Sequence, residues 1–282
     1  MPNFIVDFFK YDFLIRALLV GLMGSLSASL LGVSLVLKRY SMIGDGLSHV
    51  GFGSLAIATA LSASPMIVTI PVVILAAFLL LRISESGKIR GDAAIAMISA
   101  GSMAVGVLFI SVTTGVNTDI YNYMFGSILS MSVSDVVLSL ILSAIVLSLY
   151  SLFYHQIFAV TFDENFARAT GVKAGAYNSL LAVLSAVTIV LGMRVMGALL
   201  ISSLIIFPAL TAMRLMKSFY SVTLTAAIVS CLCFLIGLFS SYALALPTGA
   251  TIVCVNILAF LLFSAISFLK NSLTGRNIKQ QQ

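Results

Sequence analysis

Residues 14–50 read LIRALLVGLMGSLSASLLGVSLVLKRYSMIGDGLSHV. The first part, Leu14 to Leu37, carries one charge, Arg16, near its start and is otherwise apolar or small. At about 1.5 Å of rise per helical residue, it is long enough to cross a hydrocarbon core of about 30 Å. The basic pair Lys38 and Arg39 ends the run. A second apolar segment then opens with Gly44-Asp45-Gly46-Leu47-Ser48-His49-Val50, which places a carboxylate and an imidazole four residues apart. On a helix that spacing turns both side chains the same way, one turn apart, so an oxygen and a nitrogen ligand can reach one point. An ionisable group at membrane depth costs about 2.5 to 3.5 kcal/mol on insertion scales, which makes its presence there a pointer to function.

The rest of the chain has the same character. Of 282 residues, 61% are hydrophobic and 9% charged, and the mean hydropathy is +1.17. A soluble domain carries about 25% charged residues. Candidate spans are Leu14 to Leu37, Leu47 to Leu61, Pro65 to Leu81, Ala93 to Thr113, Val133 to Phe153, Gly175 to Gly192, Val195 to Leu215, Ser221 to Leu246 and Thr248 to Leu269. The expected fold is therefore all-α, a polytopic transmembrane bundle of about eight or nine spans, with residues 1–282 forming one transmembrane domain. The first run is too long for a signal-peptide core and has no small-residue cleavage site, so no processed signal is expected.

The net charge of +6 does not indicate a nucleic-acid partner, because the basic residues are dispersed between apolar runs. Lys38 and Arg39, Arg82 with Lys88 and Arg90, Arg168 with Lys173, Arg214 with Lys217, and Lys270 with Arg276 and Lys279 fall at alternate ends of the spans. All can be cytoplasmic at once, as the positive-inside rule requires. Parity then puts Thr114 to Ser132 and, with nine spans, the N-terminus outside. Phe4 to Phe13 can be read instead as an interfacial helix, and Ile120 to Ser130 as re-entrant. Cys231, Cys233 and Cys254 lie inside apolar runs, where reduced cysteine acts as a small hydrophobe, and neither a disulfide nor a thiolate metal site is expected.

Several readings concern the surroundings of Asp45 and His49. Gly44, Gly46, Gly51 and Gly53 predict that the second span begins as irregular backbone, tolerated at depth only where it is buried in protein or lines a cavity. If the chain rises as helix from Lys38, His49 lies roughly 15 Å beyond it, near the midplane. Gly24, Ala28 and Gly32, beside Gly21, Ser25 and Ser29, form small-residue rows that let backbones approach closely, predicting tight packing next to the ligand-bearing helix. The plainer alternative for Asp45 and His49 is a helix cap and a structural ion pair. One Asp and one His are too few for a closed metal site. Two symmetry-related copies would supply two carboxylates and two imidazoles, a set suited to tetrahedral zinc that manganese or iron could share in a larger shell.

Other polar features carry less. His155 has no companion at metal-ligand spacing. Phe162-Asp163-Glu164-Asn165-Phe166-Ala167-Arg168-Ala169-Thr170-Gly171 reads as a short helix with acidic residues at its start and Gly171 just past its end. Arg194 stands between two closely spaced spans, as a gate or as a snorkelling interfacial arginine. Pro208 should kink the seventh run. Neither a phosphate-binding Gly-rich loop with Lys-Ser/Thr nor a Gly-x-Ser-x-Gly elbow appears, so nucleotide hydrolysis and serine-hydrolase chemistry are not expected of this chain. It is read as a transport subunit, not an enzyme.

At these residues the sequence resembles the permease subunits of bacterial ATP-driven zinc, manganese and iron uptake transporters. The stretches that carry the resemblance are Leu35 to His49, Tyr123 to Leu129, Phe162 to Gly171, and Val195 to Leu200 running to Phe207-Pro208-Ala209. The resemblance implies a homodimer in a bacterial inner or plasma membrane, a cytoplasmic ATPase dimer that handles ATP, and an extracytoplasmic protein that delivers the metal. Asp45 and His49 would occupy the translocation site. Phe162, Asp163, Glu164, Phe166, Ala167, Arg168 and Gly171, within a cytoplasmic segment at about residues 158–172, would couple to the ATPase. The Gly51-Phe52-Gly53 continuation moves the expected cargo toward Zn2+, with Mn2+ or Fe2+ as alternatives. A permease for a siderophore- or cobalamin-like chelate and an ion-coupled secondary transporter are the competing classes.

Overall fold

The computed structural model describes residues 10–86, 91–113 and 133–279. Tyr123 to Leu129, the region expected to be re-entrant, most of the expected N-terminal interfacial helix, and the side chain of Arg194 lie outside the described residues. Among the described residues the ordered structure is entirely helical. The helices are α1 (Asp12–Leu37), α2 (Ile43–Ala60), α3 (Pro65–Ser86), α4 (Gly91–Thr113), α5 (Val133–Leu152), α6 (Tyr154–Phe162), α7 (Glu164–Ala169), α8 (Ala174–Met196), α9 (Ala198–Met213), α10 (Phe219–Leu244) and α11 (Thr248–Lys279).

Each apolar run read from the sequence is one of these helices. Seven are long and apolar enough to cross a membrane, namely α1, α3, α4, α5, α8, α10 and α11, and α9 is a shorter apolar helix. The ninth run is α2, 18 residues long, whose glycine, serine and ionisable content lowers its hydropathy. The protein is a multi-pass membrane protein.

Within this bundle α1 is central, with 67% of its apolar window buried, whereas α11 has 11% and α4 22%. The small-residue rows of α1 explain its position, but their partners differ from the expectation. A Cβ at Gly32 would lie 2.0 Å from the backbone oxygen of Ile205 on α9, and one at Gly21 would strike the ring of Phe234 on α10. The rows therefore seat α1 on α9 and α10. The helix bearing Asp45 and His49 packs instead most extensively on α4 and α3.

The boundary between α8 and α9 is a single residue. Gly197 has φ 87° and ψ 160°, a conformation essentially reserved for glycine, which breaks the helix without a loop. α9 continues as helix through Pro208.

Several helix ends meet through polar and aromatic contacts. Lys38, after α1, meets Glu164 of α7 and Asn178 of α8. Phe158 and Phe162 of α6 stack near Phe219 at the start of α10, and Ser267 of α11 donates to the carbonyl of Arg214 at the end of α9.

Candidate functional site

Helix α2 begins at Ile43 and is regular from its first turn, so the expected irregular start is absent. Its glycines serve close approach instead. A Cβ at Gly46 would fall 2.6 Å from Ile95 of α4, at Gly51 2.7 Å from Met193 of α8, and at Gly53 2.4 Å from the backbone oxygen of Ser102 on α4. Gly106 of α4 faces Gly53, with a hypothetical Cβ only 2.8 Å from its Cα. Small residues gain nothing from apolarity in lipid, but they let two backbones touch, and that contact holds the helix in place.

The depth reading also changes. Residues 38–42 form a turn between α1 and α2 rather than continuing a helix, so the helical rise to His49 starts at Ile43 and is about 9 Å.

Asp45 and His49 are brought together as the spacing required. His49 Nε2 lies 3.6 Å from Asp45 Oδ2, with the His49 side chain 23% and the Asp45 side chain 44% exposed. Neither caps the helix: the residue before α2 is Met42, and no side chain caps it. Both side chains leave one side open. No group of three or more His, Cys, Asp or Glu able to hold a metal occurs among the described residues, so the described part of one chain offers two donors at this point.

A third polar group enters from α9. Ser48 donates to the carbonyl of Gly44 at 2.6 Å and lies 3.1 Å from the hydroxyl of Ser202, which also donates to Ala198 O at 3.1 Å. Reading the sequence did not single out Ser202. It lies inside the stretch from Val195 to Ala209 that carries the resemblance, but a serine in a membrane helix looks like any other small packing residue until its neighbour is known.

The second group of candidate residues also folds as expected. Asp163 caps α7 by accepting from Phe166 N at 2.9 Å, satisfying one of the free N–H groups of the first turn. Gly171 follows the helix with φ 88°, the left-handed turn that glycine permits at a helix end. Ala167 is fully buried against Val160 and Ala174, which anchors the segment from below. Phe162 and Phe166 are 60% and 65% exposed and form the outward face.

Glu164 points the other way. Its carboxylate accepts from Arg168 at 2.5 Å and from Asn178 Nδ2 at 3.0 Å, and lies 3.5 Å from Lys38 Nζ. Burial alone would raise its pKa, but the hydrogen bonds from Asn178 and Arg168 and the charges of Lys38 and Arg168 outweigh that and hold the carboxyl below its ordinary value. His155 is exposed on α6 beside Tyr154, away from Asp45 in the chain and without further ligands.

Comparison with known proteins agrees with this architecture. Residues 10–267 match the model of the ABC 3 transport family. The chain is 32% identical to a probable metal transport system membrane protein of Thermotoga maritima, covering 92% of both chains. It is 29% identical to the manganese import system permease protein ScaB of Streptococcus gordonii, covering 93% of this chain and 94% of that one. It is also 29% identical to the high-affinity zinc uptake system membrane protein ZnuB of Haemophilus influenzae, covering 89% and 97%. Among solved structures, PsaBC from Streptococcus pneumoniae in complex with Fab superposes with a TM-score of 0.83 at 29% identity, over 93% of this chain and 94% of that one. A multi-pass helical bundle with an acid–imidazole pair on an internal helix, matched to this family over nearly its whole length, belongs to the ABC 3 transport family and is the membrane permease component of a metal-ion importer, with ATP hydrolysis left to a separate subunit.

Proposed function

We propose that Asp45 and His49 are this protomer's share of the ion-binding site of an importer for a divalent transition metal, and that a second copy of the chain completes it. The observation that carries this reading is the geometry of the pair: two donors 3.6 Å apart with one side open and a carboxylate 44% exposed. An ionised carboxylate cannot be left facing lipid. A two-fold partner presenting the same face would cover it and raise the donor set to two oxygens and two nitrogens. The cytoplasmic docking element is α7 with its exposed Phe166, together with Phe162 at the end of α6, seated in an ATPase dimer, and an extracytoplasmic binding protein delivers the ion from the other side.

Relatives named for manganese and for zinc are equally identical to the chain, so the cargo is argued from the donors. Two imidazoles with two carboxylates in a four-coordinate cage suit zinc, while manganese favours a larger, oxygen-rich shell. Zinc is the first choice, with manganese or iron as competitors.

Uptake by the intact importer at limiting metal tests the site. Asp45→Asn and His49→Ala should each abolish or severely reduce import while the protein still inserts, and His155→Ala should import normally. If both site variants import like the wild type, the pair is structural. A competition in which manganese displaces zinc from transport more effectively than the reverse would overturn the choice of zinc.

A further inference from the structure

Between the docking helix and the ion-binding helix lies a polar joint built on Glu164 of α7. Lys38, the residue after α1, is only 9% exposed. Its ammonium donates to Asn178 Oδ1 of α8 and lies 3.5 Å from Glu164 Oε2 of α7. Asn178, itself buried, donates its amide to that same carboxylate oxygen at 3.0 Å. The end of α1 is thus tied at one point to α7 and α8, which lie more than a hundred residues further along the chain.

The turn that leaves this joint is stiff. Arg39 N donates to Val36 O at 3.0 Å, Tyr40 N to Leu35 O at 2.8 Å, Ile43 N to Tyr40 O at 3.0 Å and Gly46 N to Met42 O at 3.0 Å. Arg39 is held at φ 62°, a left-handed conformation that a non-glycine residue keeps only where its surroundings over-determine it. A displacement of Lys38 is therefore passed to Ile43 and on to Asp45, seven residues away, instead of being absorbed by a slack loop. Beside the joint is a cavity of about 20 Å³, space for about one water, bordered by Lys38, Tyr40, Ile43, Asn178, Leu181 and Ser185.

We propose that Lys38, clasped by Glu164 and Asn178, is the positioning residue through which movement of the docking helix α7 is transmitted to the ion-binding helix α2. The proposal rests on the assignment of α7 and of Asp45 and His49 made above. A docking helix moved as a rigid body by its ATPase shifts the permease between states only if some contact differs between them. A short, nearly buried ionic clasp at the root of α2 is such a contact.

The test uses the permease with its ATPase subunit in liposomes, with zinc and, in parallel, manganese as the transported probes. Three quantities are read: ATPase copurified, ATP hydrolysed, and ions imported per ATP. Lys38→Met should copurify with the ATPase and hydrolyse ATP, yet import about tenfold fewer ions per ATP, within the roughly 5- to 150-fold range of ordinary allosteric coupling. Lys38→Arg should recover most of the loss. Asn178→Ala, which keeps both charges and removes the bridging amide, should show the same uncoupling to a smaller degree, and it decides the matter if Lys38→Met does not fold. Combining Lys38→Met with Glu164→Gln should lower import per ATP by less than the product of the two single effects, since the two changes share the Lys38–Glu164 contact.

Wild-type import per ATP in Lys38→Met, or in Asn178→Ala where that variant decides, overturns the proposal. Loss of ATPase copurification also overturns it, because the clasp would then only hold α7 in place. Asp45→Asn run alongside separates the two readings: if it imports normally, the ion site is misassigned, and if it is inactive while Lys38→Met remains fully coupled, the transmission step alone fails.

Discussion

Replacing Gly53 by alanine adds one methyl group at the point where α2 and α4 touch. The new Cβ would lie 2.4 Å from the Ser102 carbonyl oxygen and 3.1 Å from its carbon, whereas ordinary contact begins near 3.4 Å. Backbone cannot rotate away as a side chain can, so the helices must part by about 1 Å, and overpacking of this kind costs about 1–3 kcal/mol. His49 lies one turn before Gly53 on the same face of α2, and Asp45 one turn before that. A metal site tolerates ligand displacements of only about 0.2 Å. If the same 1–3 kcal/mol is lost from ion binding, affinity falls roughly 5- to 150-fold.

The assay is import by the intact transporter across a range of zinc concentrations, together with thermal unfolding of the purified permease. Half-maximal import should need at least about fivefold more metal in Gly53→Ala, with a lowered unfolding temperature. Gly101→Ala is the matched control on α4, since a Cβ there meets nothing within 4 Å. It should import normally and gain up to about 1 kcal/mol from helix propensity. Wild-type import and stability in Gly53→Ala would refute the view that backbone contact with α4 positions the ion-binding pair.

Three further outcomes are expected. Phe166→Asp should leave the permease folded, because the ring is 65% exposed, yet reduce copurification with the ATPase about tenfold, as loss of an aromatic anchor does; unchanged copurification would place docking elsewhere. Gly171→Ala forces a side chain into φ 88° and should cost about 1 kcal/mol or more, seen as faster proteolysis around residues 158–172. Because the Glu164 pKa is depressed in the folded state, its stabilisation of α7 is complete above the ordinary glutamate range and is lost as pH falls through the lowered value. Hydrogen-exchange protection of α7, taken relative to the intrinsic amide rate at each pH, should therefore be flat near neutrality and fall only in acid, and Glu164→Gln should remove that acid limb.

Much of this protein is a local property of its chain. Apolar runs long enough to span lipid need no partner to be recognised, and each of them is a helix in the structure. The four-residue spacing of Asp45 and His49 brings the two together on any helix, and the cap at Asp163 with the glycine turn at Gly171 follows from backbone chemistry within a few residues. What needed the tertiary structure is which helix surfaces meet. In lipid, apolar residues favour no particular neighbour, so the rows on α1 announced close packing without saying that α9 and α10 would supply it. The glycines of α2, read as a sign of broken backbone, are places where α4 and α8 come within touching distance. Ser202 and the clasp of Lys38 with Glu164 and Asn178 join residues more than a hundred positions apart, and only the folded bundle sets those distances, because a hydrogen bond depends on a few tenths of an ångström that no sequence periodicity encodes.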